Sequence, residues 1–214
     1  MVRLRGWLTE AWELVGADLP VFSLAAFLTI TGTLLSAWIL AVPLTVGLCI
    51  MFLEKLQGHR PVLAHLAEGF SRFPAAVFVW GVYLLGLIPF SAIHVAMYTA
   101  GGGTSRWGLL AELIGHLVVA TPLLLAAPLI AHRDLGGRAA VCASWRLVRT
   151  ILPLAFVTVT VLSGLLLVGL FACGVGVILT LPVAVATVVL AYRDLAGVGP
   201  APTSGDTTDL LEAD

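Results

Sequence analysis

Three apolar stretches of the chain share one pattern, which begins at a proline and ends in an opposite-charge pair, a leucine and a glycine. The stretches run from Pro43 to Gly58, from Pro122 to Gly137 and from Pro182 to Gly197. We interpret each as the inner half of a membrane helix. The proline opens or kinks the helix, the charges mark the water boundary, and the glycine caps the end.

A short amphipathic segment precedes each of three other prolines. These segments are residues 1–18, 61–73 and 138–152, which lie before Pro20, Pro74 and Pro153. In the first, apolar residues recur at helical spacing, as expected of a helix lying in the headgroup plane. They are Trp7, Leu8, Ala11, Trp12, Leu14 and Val15. The alternative is a frayed polar start to the first span. The predicted unit is a surface helix, an outward span, a return span and a glycine cap, and it occurs three times.

The first apolar stretch, residues 19–56, is too long for one span. A straight helix over it would run about 57 Å, whereas the hydrocarbon core is about 30 Å thick. It therefore predicts two short spans, which turn near Gly32, Ser36 and Trp38. Residues 151–192 predict a second such pair, which turns near 173–176.

The middle of the chain supplies the third pair. Residues 74–100 and 107–131 are each near the length of one span, and the glycine-rich segment 101–106 between them predicts a loop. The predicted fold is thus an all-α polytopic membrane protein. Its six transmembrane helices form three hairpins, each preceded by a short amphipathic interfacial helix.

Composition and charge agree with this class and orient it. Hydrophobic residues make up 60% of the chain and charged residues 11%, with a mean hydropathy of +1.07, far from a soluble domain. The net charge of -1 gives no reason to expect nucleic acid as a partner. Under the six-span topology one side holds every basic residue except Arg106, and these are Arg3, Arg5, Lys55, Arg60, Arg72, Arg133, Arg138, Arg146, Arg149 and Arg193.

This asymmetry places that side, and both termini, in the cytoplasm. Residues 1–197 are predicted to form a single integral membrane domain. Residues 198–214 are rich in Pro, Gly, Ser, Thr and acidic side chains, and we expect a flexible cytoplasmic tail.

A search for chemistry yields one polar cluster in the predicted spans. Nothing indicates a catalytic group, a cofactor or a metal motif, and the three cysteines show no metal spacing. Glu112 and His116 lie four apart on one helix face, and His94 is expected at the same depth near the outer end of the preceding span. The three could hold a metal or pass a proton, or they could simply bond one another and reach the outer headgroups.

A second candidate lies on the predicted third surface helix and just before it. Its residues are Arg133, Arg138, Trp145, Arg146 and Arg149. They could bind anionic lipid headgroups or an acidic partner segment. The alternative is that the arginines only set the topology.

The chain also resembles a known group of proteins. The runs VPLTVGLCIMFLEKLQGHRPVLAHLAEGF, APLIAHRDLGGRAAVCASWRLVRT and GLFACGVGVILTLPVAVATVVLAYRDLAG are similar to uncharacterised bacterial multi-pass membrane proteins. That group includes the membrane domains ahead of some glycerophosphodiester phosphodiesterases. The resemblance implies a bacterial cytoplasmic (inner) membrane protein; because this chain lacks a phosphodiesterase domain, it does not imply that activity.

Two functional hypotheses lead, and neither is enzymatic; a membrane-embedded enzyme comes third and rests only on His94, Glu112 and His116. The first is a non-catalytic module that orders lipid, or that packs with itself or with a membrane-protein partner at close-packing positions such as Gly32/Ser36 and Gly169/Cys173. The second is a small transporter or channel for a lipid or other apolar substrate, whose path would use the proline-broken second, fourth and sixth spans.

Overall fold

Helices account for all the regular structure in the residues that the computed structural model describes, 2–36, 39–101, 106–172 and 175–197. The α-helices are α1 (Val2–Ala17), α2 (Leu19–Leu35), α3 (Ala41–Leu56), α4 (Ala64–Glu68), α5 (Phe73–Gly101), α6 (Arg106–Leu123), α7 (Ala126–Arg133), α8 (Gly137–Val148), α9 (Leu152–Phe171) and α10 (Val175–Ala196). The 3-10 turns Gly69–Arg72 and Arg149–Ile151 precede α5 and α9. The predicted all-α class is confirmed, whereas the predicted tail, 198–214, lies outside the described residues.

Several of these helices can cross a membrane. Four helical stretches of the described chain are long and apolar enough, and they are 64–100, 106–133, 137–171 and 175–196. A fifth candidate is α1 with α2, which are bent by 100° where they meet. Helices α2 and α3 alone have 17 and 16 residues, just below the length of a standard span.

The predicted repeat ends in the expected way in two of its three copies. Gly58 follows α3 with a φ of 86°, and Gly197 follows α10 with a φ of 65°. Both adopt the left-handed conformation that glycine tolerates at a helix end. The second copy differs, because α7 ends at Arg133 and the left-handed residue there is Asp134, with a φ of 50°. The prediction that Gly137 caps this helix is wrong.

Gly137 instead begins α8 and allows it to approach α5 closely. A Cβ atom at this position would lie 2.6 Å from Phe78 Cβ and 2.8 Å from the Ala75 carbonyl oxygen. Such distances are shorter than van der Waals contact, and interiors are already close-packed. The glycine of the second copy is therefore required by packing between helices rather than by helix termination.

The helices pack in one relation that occurs three times. The surface helices α4 and α8 pack on α3 and α7, which end the preceding units, and α1 packs on α10 in the same way. The outward helices follow the same rule, since α5 contacts α3, α9 contacts α6 and α2 contacts α10. The three units are α1–α3, α4–α7 and α8–α10. The third unit packs on the first in the same way as the first packs on the second, and the three units close into a ring.

The centre of this ring is formed by the three helices that carry the repeated pattern. Every residue from Pro43 to Leu53, apart from the partly buried Thr45, is buried, and so is every residue from Pro182 to Leu190 except Val188. Helix α7 and the inner face of α1 complete the same core. Phe22 and Phe52 stack within it with their ring centroids 4.3 Å apart.

Two details of the surface helices and close-packing positions differ from expectation. The second surface segment, predicted over 61–73, is helical only from Ala64 and gives way to the 3-10 turn at Gly69. The predicted partner-facing glycines pack inside the chain, because a Cβ at Gly32 would meet Leu44 and one at Gly169 would meet Thr180. Cys173, the residue paired with Gly169 in that prediction, lies outside the described residues.

A proline break occurs in only one of the three repeat copies within the described chain. Helices α3 and α10 run continuously past their prolines, whereas α6 gives way to α7 just after Pro122. Ser144 of α8 repairs this break: its hydroxyl donates to the Pro122 carbonyl (2.7 Å) and accepts from the Leu125 amide (3.2 Å). Such side-chain replacement is how a helix break is tolerated away from water.

Candidate functional site

Ion pairs join the helices at the end of the bundle that holds Lys55, Arg72 and Arg193, which we call the basic end. Arg193 donates to both carboxylate oxygens of Glu10, at 2.6 and 3.1 Å, and to Asp194. The Trp7 indole also donates to Asp194, at 2.7 Å. Lys55 pairs with Asp18 and lies 5.3 Å from the centre of the Phe22 ring. The contacts of Arg193 and Trp7 join the first helix of the chain to the last, and that of Lys55 joins α3 to the α1–α2 junction.

The predicted arginine cluster forms one exposed face of α8. Arg138, Trp145, Arg146 and Arg149 are all exposed, and their spacing places them along one side of the helix. Arg133 is exposed as well, but it lies at the end of α7 and not on this face. These four residues therefore form a basic and aromatic surface, which we call the α8 face.

Each of the three surface segments exposes one large aromatic side chain. Trp12 of α1 is 63% exposed, Trp145 of α8 is 47% exposed, and Phe70 in the turn after α4 is 41% exposed. Aromatic rings beside arginines are typical of the boundary between headgroups and hydrocarbon. The basic end thus presents aromatic groups on all three units of the ring.

A shallow cleft of about 370 Å³ opens at the basic end, between the start of α5 and the α7–α8 connection. Its lining residues are Ser71, Arg72, Pro74, Ala75, Phe78, Asp134, Leu135, Gly136, Gly137 and Arg138. Arg72 Nε donates to Asp134 Oδ1 at 2.8 Å across it. Sequence reasoning predicted Arg138 here and missed Arg72 and the apolar wall, because the cleft joins segments over sixty residues apart.

The predicted cluster of His94, Glu112 and His116 is divided in two. His94 Nδ1 lies 2.9 Å from Glu112 Oε2, and the Ser91 hydroxyl donates to the other carboxylate oxygen at 3.4 Å. This group joins α5 to α6 near the end opposite the basic end, which we call the far end. The Glu112 side chain is 45% exposed, so the group lies at the surface of the bundle.

His116 belongs to a second group, one turn deeper. Its Nδ1 lies 2.8 Å from the Tyr83 hydroxyl and its Nε2 lies 2.9 Å from the Ser163 hydroxyl. The three predicted side chains therefore do not form one bonded group, and Glu112 and His116 are separated by about 6 Å of helical rise. The second group links α5, α6 and α9. Tyr83 and Ser163 were missed, and the only signal for them was a polar residue in mid-span.

Neither group is arranged as a metal site. In the part of the chain that the structure describes, no three His, Cys, Asp or Glu side chains come together to hold a metal ion. The ring nitrogens of His94 and His116 instead contact side chains on neighbouring helices. What the polar groups do is tie α5 and α6 to each other and to α9.

Comparisons of the chain with protein-family models, curated proteins and solved structures gave no match. The resemblance to bacterial membrane proteins noted from the sequence therefore stays a prediction.

Proposed function

We propose that this chain is a non-catalytic integral membrane module that crosses the bacterial inner membrane six times and contacts phospholipid headgroups with its basic end. The observation that carries the proposal is the α8 face, where Arg138, Arg146 and Arg149 lie exposed beside Trp145. A basic amphipathic helix of this kind attracts anionic headgroups by about 1 kcal/mol per arginine. Trp12 and Phe70 extend the same boundary around the ring.

Six spans follow if α2 and α3 cross the membrane as a pair. Their 17 and 16 residues give about 26 and 24 Å of helix, which a locally thinned bilayer accommodates at modest cost. Helix α2 has no charged residue and exposes Leu24, Phe27 and Leu28 on its outer side. Lipid accommodates this surface, whereas water does not.

Labelling of single cysteines in intact cells tests the topology. Ser36→Cys, His59→Cys and Arg106→Cys are placed separately in a background in which Cys49, Cys142 and Cys173 are replaced by serine or alanine. We expect an impermeant maleimide to label positions 36 and 106 but not 59, which becomes reactive only after the membrane is opened. Labelling of 36 and 59 in the same compartment would show that α2 and α3 do not cross as a pair.

Lipid selectivity in reconstituted membranes tests the role of the basic end. Spin-labelled phosphatidylglycerol and phosphatidylcholine report the relative association of each lipid with the protein. Arg146→Gln/Arg149→Gln should lower the preference for phosphatidylglycerol severalfold, because two charges near the surface are lost. Arg106→Gln removes a charge at the far end and should leave the preference unchanged. Equal selectivity in all three proteins would remove the headgroup proposal.

A further inference from the structure

The lining of the cleft at the basic end combines two kinds of residue. Arg72 and Arg138 supply positive charge, and Pro74, Ala75 and Phe78 supply an apolar surface, which we call the apolar wall. The apolar wall belongs to α5, whose stretch is long enough to cross a membrane. Phe78 is 46% exposed, so part of its side chain is open to a ligand.

We propose that this cleft binds one phospholipid, with the phosphate between Arg72 and Arg138 and the start of an acyl chain along Phe78. The inference rests on the proposed membrane function and adds to it a discrete site beside the diffuse α8 face. A guanidinium group recognises phosphate oxygens with paired N–H donors, and both arginines reach the same cleft.

The charges in the cleft fit a phosphodiester. Asp134 also lines it, and two arginines with one aspartate leave one net positive charge. The Arg72–Asp134 bond uses only Nε of the guanidinium, one of its five N–H donors. That bond holds Arg72 in place and offsets the repulsion between Asp134 and an incoming phosphate.

The apolar wall selects a lipid over free phosphate. Inorganic phosphate carries more than one negative charge near neutral pH and makes no use of Pro74, Ala75 or Phe78. A phospholipid buries apolar surface against that wall, worth about 25 cal/mol for each Å² removed from water. The volume of about 370 Å³ is at the lower end of ligand-pocket sizes, as expected for a headgroup and the first chain carbons.

Native mass spectrometry of the full chain, purified and delipidated in detergent, tests the site. Titration with dioleoylphosphatidylglycerol should give a one-to-one adduct, and dioleoylglycerol, which lacks phosphate, should not. Arg138→Gln should weaken the adduct about tenfold or more, because a hydrogen bond to a charged group contributes about 1.5–3 kcal/mol. Ala75→Leu, which fills the cleft without changing its charge, should weaken it to a similar extent. Circular dichroism confirms that each variant is folded.

The matched control is Arg106→Gln, which removes one guanidinium outside both the cleft and the α8 face and should retain the adduct. Equal loss in this control would overturn the cleft. Loss of the adduct in Arg146→Gln/Arg149→Gln but not in Arg138→Gln would also overturn the cleft and leave headgroup contact by the α8 face standing. Displacement of the lipid by inorganic phosphate at an equal concentration would overturn the choice of a lipid. If Arg138→Gln abolishes the adduct but Arg146→Gln/Arg149→Gln leaves the spin-label selectivity unchanged, the lipid site in the cleft stands. The proposal that the α8 face contacts headgroups then fails.

Discussion

Helices α10 and α5 are both strongly apolar, yet they are held in different ways. In the most apolar window of α10, 56% of the residues are buried, against 6% in the corresponding window of the stretch that contains α5. Helix α10 contacts α1, α2, α3 and α9, whereas α5 packs chiefly against α6. Apolar character therefore does not predict burial in this chain, as expected where lipid is as apolar as the side chains.

The two regions also differ in the contacts that position them. In the packed core, the backbones of α3 and α4 approach directly, since a Cβ at Gly47 would lie 2.2 Å from the Leu66 carbonyl oxygen. Between α5 and α6, small residues are combined with polar bonds: Gly115 lies under the Phe90 ring, and the groups around Glu112 and His116 join the helices. The ring is thus a packed core with one less buried pair of helices, α5 and α6, in which polar bonds add to the contacts of small residues.

The largest loss of stability should come from Gly69→Ala, which adds a side chain in the packed core. The new Cβ would lie 2.0 Å from the Pro43 carbonyl oxygen and 2.7 Å from the Gly47 amide nitrogen. Both are backbone atoms of the central helix α3, so relief requires the surface segment to move away. We expect a loss of about 3 kcal/mol or more, measured as loss of monodisperse protein on heating in detergent.

Gly81→Ala is the matched control for this change. A Cβ at Gly81 meets nothing within 4 Å, and alanine favours a helix interior by about 1 kcal/mol. The control should be as stable as the parent or more so. Equal damage in both variants would mean that α5 is packed as tightly as the core.

Ser144→Ala should be the next largest change. Ser144 is fully buried, and its removal leaves the Pro122 carbonyl and the Leu125 amide without their side-chain partner at the α6–α7 break. Each unsatisfied buried group costs about 1–3 kcal/mol, so we expect a loss of about 2 kcal/mol in thermal unfolding. The control is Ser71→Ala, which removes an exposed hydroxyl that bonds only within its own turn. A loss of similar size in the control would show that Ser144 does not stabilise the α6–α7 break.

The sequence predicts the order of the elements well and their partners poorly. The pattern of prolines, charges and apolar runs places both ends of α5 and α9 and the start of α6 within a few residues, because these are local signals. It misses the end of α6, which stops at Leu123 and not near residue 131. It could not pair Arg193 with Glu10 or Ser163 with His116, since those contacts depend on which units meet in the ring. Gly137 shows the same limit: a glycine that local reasoning assigns to a helix end is needed by a neighbouring helix.

Tyr83→Phe tests the polar attachment of the α5–α6 pair. It removes the hydroxyl that lies 2.8 Å from His116 Nδ1 and leaves the ring in place. Hydrogen bonds between membrane helices contribute about 0.6 kcal/mol on average and up to about 1.7 kcal/mol, so we expect a loss of about 1 kcal/mol. Hydrogen exchange in α5 and α6 should rise about fivefold, whereas exchange in α10 should not change.

Tyr98→Phe is the control for this experiment, because it removes the same hydroxyl from an exposed position on the same helix. It should leave exchange in α5 unaltered. If exchange rises in α10 as much as in α5 for the Tyr83 variant, the two regions open as one unit and the contrast drawn between them is wrong.

The smallest effect is expected at the far end, from Glu112→Gln. The amide keeps an oxygen to accept from Ser91 and still offers a polar partner to His94, so only the charge is lost. The Glu112 side chain is 45% exposed, and an ionised group is unfavourable near hydrocarbon. Removing the charge therefore gains some stability, which offsets part of the stability lost from the weakened hydrogen bonds. We expect a change of less than about 0.5 kcal/mol, or roughly 2 °C in Tm for a chain of this size. Glu112→Ala removes both contacts and should cost about 1 kcal/mol. If Gln is as harmful as Ala, the charge itself stabilises the α5–α6 pair.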